Sequence, residues 1–240
     1  MEPAMIVAAI LVFAPALLMI YYLMKDYTYP AVEEPFFKDS TLFTLFAVGL
    51  IEGFIISAFY KMFISSWGKV LIGVAFALVQ QLAILVVLNL KRFHRKSDTV
   101  FYGFSLGIGQ GVGMAFGVTV TMLSVFTSFS DVDVTSWITI VLFIAQELML
   151  MCSTGATVGE GVARLRISEF TLKAILICVF CNIMWSFTIT FGSSLLWIIP
   201  AIVMIVAATY FFYVSIYKGL PGVVADVLKL EGKKRNDIPK

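Results

Sequence analysis

The stretch Asp98–Gly117, DTVFYGFSLGIGQGVGMAFG, decides how the chain reads. It is an apolar run with glycines at 103, 107, 109, 111, 113 and 117, and one polar residue among them, Gln110. Glycine in an apolar helix removes side-chain bulk, so that a neighbouring backbone can approach closely. Two small-xxx-small registers interleave: Gly103, Gly107, Gly111 and Gly109, Gly113, Gly117. They lie on different parts of one helical surface. A helix that can be approached from two sides belongs at the centre of a bundle, packed through these six glycines.

The rest of the chain supports a membrane setting for that helix. Of its 240 residues 60% are hydrophobic and 13% are charged, with a mean hydropathy of +0.98. Soluble domains carry about 25% charged residues. Apolar runs long enough for a bilayer core of about 30 Å fall near 4–24, 41–63, 69–90, 100–127, 136–162, 170–191 and 194–217. The expected fold is all-α: a seven-helix transmembrane domain over 1–217, with a cytoplasmic basic tail over 218–240. Pro15 and Pro200 fall inside spans 1 and 7, where membrane helices tolerate kinks. The first run lacks a basic leader and reads as a span rather than a cleavable signal.

Lys and Arg set the expected orientation. Of the 17 basic residues, Lys61 and Lys69 fall on one side and the other fifteen (17 − 2) on the opposite side. The 128–135 loop carries only acids, Asp131 and Asp133. This asymmetry requires an odd number of spans and places the N-terminus outside and the C-terminus in the cytoplasm. The expected location is the cell membrane, as a multi-pass protein.

Two connecting segments carry patterns of their own. The 25–40 loop holds Phe36-Phe37 beside Pro35 and is expected to dip back into the membrane interface through those rings. After span 7, Gly219-Leu220-Pro221 is expected to break the helix. Val223, Val224, Val227, Leu228 and Leu230 then form the apolar side of a short interfacial helix beside Asp226 and Lys229, suited to anionic lipid.

Polar groups inside spans cost several kcal/mol unless partnered. The set is Glu52, Gln80, Gln81, Gln110, Gln146, Glu147 and Asn182. Gln80 and Gln81 point about 100° apart and should not share one partner; as amides they are neither acids nor bases. Glu52 and Glu147 are open to two readings: carboxyls bonded to the glutamines, or parts of a proton or cation path. Glu160 is placed to pair with Arg164 at i,i+4. His94, the sole histidine, sits in a basic loop without companion ligands. Cys152, Cys178 and Cys181 lie in apolar spans and read as small core residues. No cofactor motif, phosphate loop or nucleic-acid module is present.

The order of features resembles the PrsW family of membrane-embedded metalloproteases. Asp98, Tyr102, Gly103, Gly107 and Gly109 match that family's Asp and Tyr-Gly-x-x-x-Gly-x-Gly. Its Glu-Glu-x-x-Lys falls on Gln80, Gln81 and Ile84, its later Glu-Asn on Met114-Ala115, and its histidine region on MCSTGATVGEG, where Thr154 stands. Frame residues match and catalytic ones do not. The chain is also similar to the anterior-pharynx-defective scaffold subunit of gamma-secretase, which has seven spans, a glycine-rich fourth span and no proteolysis of its own. The resemblance implies a non-catalytic, pseudoprotease-like scaffold that binds other transmembrane segments or a second copy of itself, with no catalytic or metal-binding residues. Two alternatives stand beside it: a transporter or proton-coupled subunit using Glu52 and Glu147, and a divergent metalloprotease using Glu52, Glu147 and Cys152. Within the glycine helix, Gly107→Leu or Gly111→Leu should disrupt packing and Met114→Ala should be mild.

Overall fold

A computed structural model describes residues 2–63, 69–126, 131–192 and 194–232. Among them the regular secondary structure is all helix, with no strand. The helices are α1 Glu2–Met24, α2 Asp39–Phe63, α3 Lys69–Leu88, α4 Thr99–Leu123, α5 Val134–Ala163, α6 Ile167–Thr190, α7 Ile198–Phe212 and α8 Gly219–Leu230. Seven segments are long and apolar enough to cross a membrane. Their apolar content fixes this, because a span satisfies its backbone polar groups internally and leaves only side chains to face lipid.

The helix α4 is the hub. Twenty of its residues are buried, against seven in the equally long α2. Its two most extensive partners are α2 and α5, and α1 packs on a third side. The glycine registers divide between the two main partners. A Cβ on Gly103 or Gly107 would overlap the carbonyl oxygen of Gly155 or Met151 on α5, and one on Gly111 would lie 3.1 Å from Met151 Cβ. On the other side, a Cβ on Gly109 or Gly113 would overlap the carbonyl oxygen of Phe46 or Leu50 on α2, and one on Gly117 would meet Ser57. The partners answer with small residues of their own: Gly49 and Gly53 on α2, Gly155 and Gly159 on α5. The Ser105 hydroxyl adds a bond of 2.6 Å to the Leu42 carbonyl, one of the interhelical bonds that hold apolar spans together. Against α1 the seam is Ala8, Val12 and Ala16, all fully buried, with Phe13 edge-on to Phe116.

Beyond the hub, α6 and α7 extend the bundle from α5, while α3 rests chiefly on α6. Gly73 of α3 lies against Ser186 and Asn182 of α6. The α5 N-terminus is capped by Asp133, which accepts from the Ser136 N–H at 3.3 Å. Hydrogen bonding from Ser136 holds the Asp133 carboxyl below its ordinary range.

Three expectations about the connecting segments change. The 25–40 aromatics pack into the protein itself. Phe36 and Phe37 are buried, and with Tyr27 they ring Phe101 on the first turn of α4, at centroid distances of 5.0 to 6.4 Å. The helix is not broken at Gly219–Pro221. A π-helical segment, Tyr213–Lys218, joins α7 to α8 without interruption. Pro221 is the third residue of α8, inside this continuous run, and membrane helices tolerate such a proline. Nor does the apolar side of α8 face lipid: Leu220, Val223, Val224, Val227 and Leu228 are buried within the protein. Leu230's side chain and the basic residues at 233–240 lie outside the described residues.

Three ties gather α8 and the loops at one end of the bundle. Ser97 N–H donates to Glu231, Arg164 bonds Asp226 at 3.2 Å, and Lys38 N–H donates to Tyr102 Oη at 3.1 Å. Glu160 and Arg164 form their i,i+4 pair at 2.8 Å. His94 pairs with Asn89 Oδ1 at 3.1 Å in the same region.

Candidate functional site

Halfway along the helices, polar side chains from five of them meet. The Gln80 amide donates to Glu147 Oε1 at 2.9 Å, joining α3 to α5. The Gln110 amide donates to Glu52 Oε2 at 3.2 Å and to the Gln80 backbone carbonyl at 3.3 Å, joining α4 to α2 and α3. On α6, Cys178 Sγ approaches Gln80 Oε1 at 3.7 Å, and Asn182 turns back on Cys178, donating to its carbonyl at 3.0 Å. One chain of contacts therefore runs from Glu52 through Gln110 and Gln80 to Glu147.

Gln81 leaves this chain. Its amide donates to Thr154 Oγ1 at 3.1 Å and approaches Met151 Sδ at 3.8 Å. Both adjacent glutamines thus reach α5, against the expectation from their angular separation. Their partners, Glu147 and Thr154, stand seven residues apart, about two turns. The side chains diverge along the helix axis, which a projection onto the helix cross-section does not show.

The burial of this group is uneven. Gln80, Gln81, Gln110, Gln146 and Glu147 are buried to 3% exposure or less. The carbonyl oxygens of Gln81, Gln110 and Gln146 accept no bond from the described residues. Glu52 alone is half-buried.

Ile84 and Met114 are buried apolar residues, and Met114 N lies 2.8 Å from where a Cβ on Gly53 would stand. Of the expected family positions, the structure therefore brings Gln81 and Thr154 into contact. Cys152, Cys178 and Cys181 are buried free thiols, with Cys152 Sγ donating to the Met149 carbonyl at 3.3 Å. Among the described residues no three His, Cys, Asp or Glu side chains gather as they would around a metal ion. The set Glu52, Glu147 and Cys152 is therefore not assembled.

At the bundle end where the loops meet, a cavity of about 150 Å³ is lined by Lys38, Arg92, Lys96, Asp98 and Tyr102. It lies apart from the mid-depth group.

The packing residues on the partner helices were missed by the sequence reading, although a signal existed. Gly49-xxx-Gly53-xxx-Ser57 and Gly155-xxx-Gly159 repeat the small-residue spacing of α4. Comparison with family models, with curated proteins and with solved structures finds no match.

Proposed function

We propose that this chain is a non-catalytic membrane scaffold that binds other transmembrane segments, of the pseudoprotease kind its motifs resemble. One observation carries the reading. At the positions where the resembled proteases set a glutamate and a histidine, a neutral amide and a hydroxyl bond each other, Gln81 to Thr154. Ile84 and Met114 complete those positions as buried apolar groups. Amide, hydroxyl, thioether and alkyl chains supply neither a general base nor a ligand set able to activate a metal-bound water. The frame around them is kept, with backbones in direct contact on both sides of α4. A rigid hub without reactive groups is suited to holding partners. On this reading the chain sits in the cell membrane, N-terminus outside and C-terminus cytoplasmic, with a protein partner or a second copy alongside.

The test is the composition of the complex after gentle solubilisation. A stable transmembrane partner at fixed stoichiometry is expected. A purified single chain that cleaves peptides and is stopped by a chelator overturns the reading.

A proton- or cation-coupled role is favoured by a separate observation, the contact chain from Glu52 through Gln110 and Gln80 to Glu147. Flux into liposomes carrying the wild type and Glu147→Gln tests it. Unchanged flux in the variant removes that role.

A further inference from the structure

Glu52 is out of keeping with its surroundings. It lies thirteen residues after Asp39 and eleven before Phe63, about 20 Å and about 16 Å from the ends of α2. That is mid-depth for a span. Yet it is half-buried, whereas the other carboxyl of the contact chain, Glu147, is 3% exposed. Beside it on α2, Ile51 and Ile55 are 59% and 53% exposed, an apolar surface that faces lipid. The neighbouring α3 leans on α6 rather than on α2, so it does not close over this flank. A carboxyl left partly open at this depth is expensive, and such a group marks a functional site.

The local chemistry says what kind of partner. Gln110, fully buried behind Glu52, gives its amide N–H to Glu52 Oε2. Its own carbonyl oxygen, bonded to the same amide carbon, accepts nothing from the described residues. The opening thus presents the Glu52 carboxyl, and the residue that orients it carries a buried, unpartnered amide oxygen. No basic side chain of the described residues is within ion-pair distance of Glu52. A second copy cannot supply one at that depth either. Its basic residues in or beside the spans stand elsewhere: Lys61 in the last turn of α2, Lys69 at the start of α3, Lys173 about 9 Å into α6, Lys218 about 30 Å past the start of α7 and Arg164 just after α5.

We propose that the flank of α2 at Glu52 docks a transmembrane helix of another protein that carries a Lys or Arg at mid-span, held by the Glu52 carboxyl that Gln110 orients. This rests on the scaffold reading and gives it a place and a ligand chemistry. The apolar surface at Ile51 and Ile55 receives the partner's side chains around the cation. The Gln110 amide orients Glu52 without placing a charge beside it, which a lysine of this chain would do.

The experiment uses the full chain in lipid nanodiscs and two labelled probes, all-leucine helices of about 20 residues, one with a single central lysine. Association is read by energy transfer for the wild type, Glu52→Gln, Ile55→Trp and Leu176→Trp. The lysine probe should bind the wild type about three- to tenfold more tightly than Glu52→Gln, the range of interhelical polar contacts in membranes, while the all-leucine probe shows no difference. Ile55→Trp crowds the same flank without touching the carboxyl and should weaken the lysine probe. Leu176→Trp, on the exposed surface of α6, should not. If Glu52→Gln fails to fold, the Ile55→Trp and Leu176→Trp pair decides. Equal binding of the lysine probe to wild type and Glu52→Gln overturns the docking site. So does self-association of labelled wild-type chains that Glu52→Gln abolishes, which would assign the flank to a second copy. A native partner retained equally by wild type and Glu52→Gln also overturns the site but leaves the scaffold standing. Absence of any partner from the wild-type complex counts against the scaffold instead.

Discussion

Gln80 and Gln81 are neighbours with unequal consequences. Gln80 is the residue whose amide reaches the Glu147 carboxyl, which is 3% exposed. Removing the amide leaves a buried carboxyl short of a donor, which costs about 1–3 kcal/mol. Gln81 bonds the Thr154 hydroxyl, but that hydroxyl also donates to the Met151 carbonyl at 3.3 Å. Thr154 therefore keeps a partner when Gln81 is lost. Gln80→Leu is expected to lower the midpoint of thermal unfolding in detergent clearly, and Gln81→Leu by less. Adding Glu147→Leu to Gln80→Leu should recover part of the loss, since both polar groups are then gone. A double variant no better than the single one would show that the pair is not coupled.

The helix α4 is built from glycines that differ in what surrounds them. A Cβ on Gly107 would run into the Met151 carbonyl, with Gly155 Cα 3.1 Å away, and backbone cannot move aside cheaply. A Cβ on Gly111 meets Met151 Cβ at 3.1 Å, the Glu147 carbonyl oxygen at 3.2 Å and Met151 Cγ at 3.4 Å, tight contacts that ask the neighbours to give by only a few tenths of an ångström. Gly107→Ala should therefore destabilise the protein more than Gly111→Ala, by about 1–3 kcal/mol as overpacking does. Gly222 of α8 is the contrasting case. No atom lies within 4 Å of its missing Cβ, so Gly222→Ala should stabilise by up to about 1 kcal/mol. The three alanine variants, ranked by thermal unfolding, test whether close backbone approach sets the order. Met114→Ala was expected to be mild. Met114 is 3% exposed, and truncating a buried methionine costs about 2–5 kcal/mol, so the expectation is reversed.

Across the whole molecule, one end carries the ties between α8 and the loops. The Arg164–Asp226 ion pair leaves Asp226 52% exposed, and exposed pairs contribute about 0–1 kcal/mol. The buried side of α8 should matter more. Val224→Asp is expected to release α8 and speed hydrogen exchange over 219–230, while Arg164→Ala leaves exchange there nearly unchanged. Faster exchange there in Arg164→Ala than in Val224→Asp would mean that charge, not burial, holds the helix. The same end carries the basic loops that predict its side of the membrane. A cysteine at His94 should resist an impermeant thiol reagent in intact cells, and one at Asp131 should react. The opposite pattern would invert the proposed orientation.

The seven spans, the central place of 98–117 and the presence of two glycine registers are legible in the order of residues alone. Each depends on local properties: the length of an apolar run, or the spacing of residues without side chains. Tertiary structure alone decided that one register meets α5 and the other α2, because a register names a surface and not its partner. It also decided that Gln80 meets Glu147 while Gln81 meets Thr154, since side-chain reach along the axis is invisible to angular spacing. The C-terminal segment shows the limit most plainly. Its alternation of valines and charges described an amphipathic helix correctly, but an apolar face has the same pattern whether lipid or protein covers it. Only the tertiary structure shows the valines and leucines of α8 buried against the bundle, with Ser97 and Arg164 meeting Glu231 and Asp226 beside them.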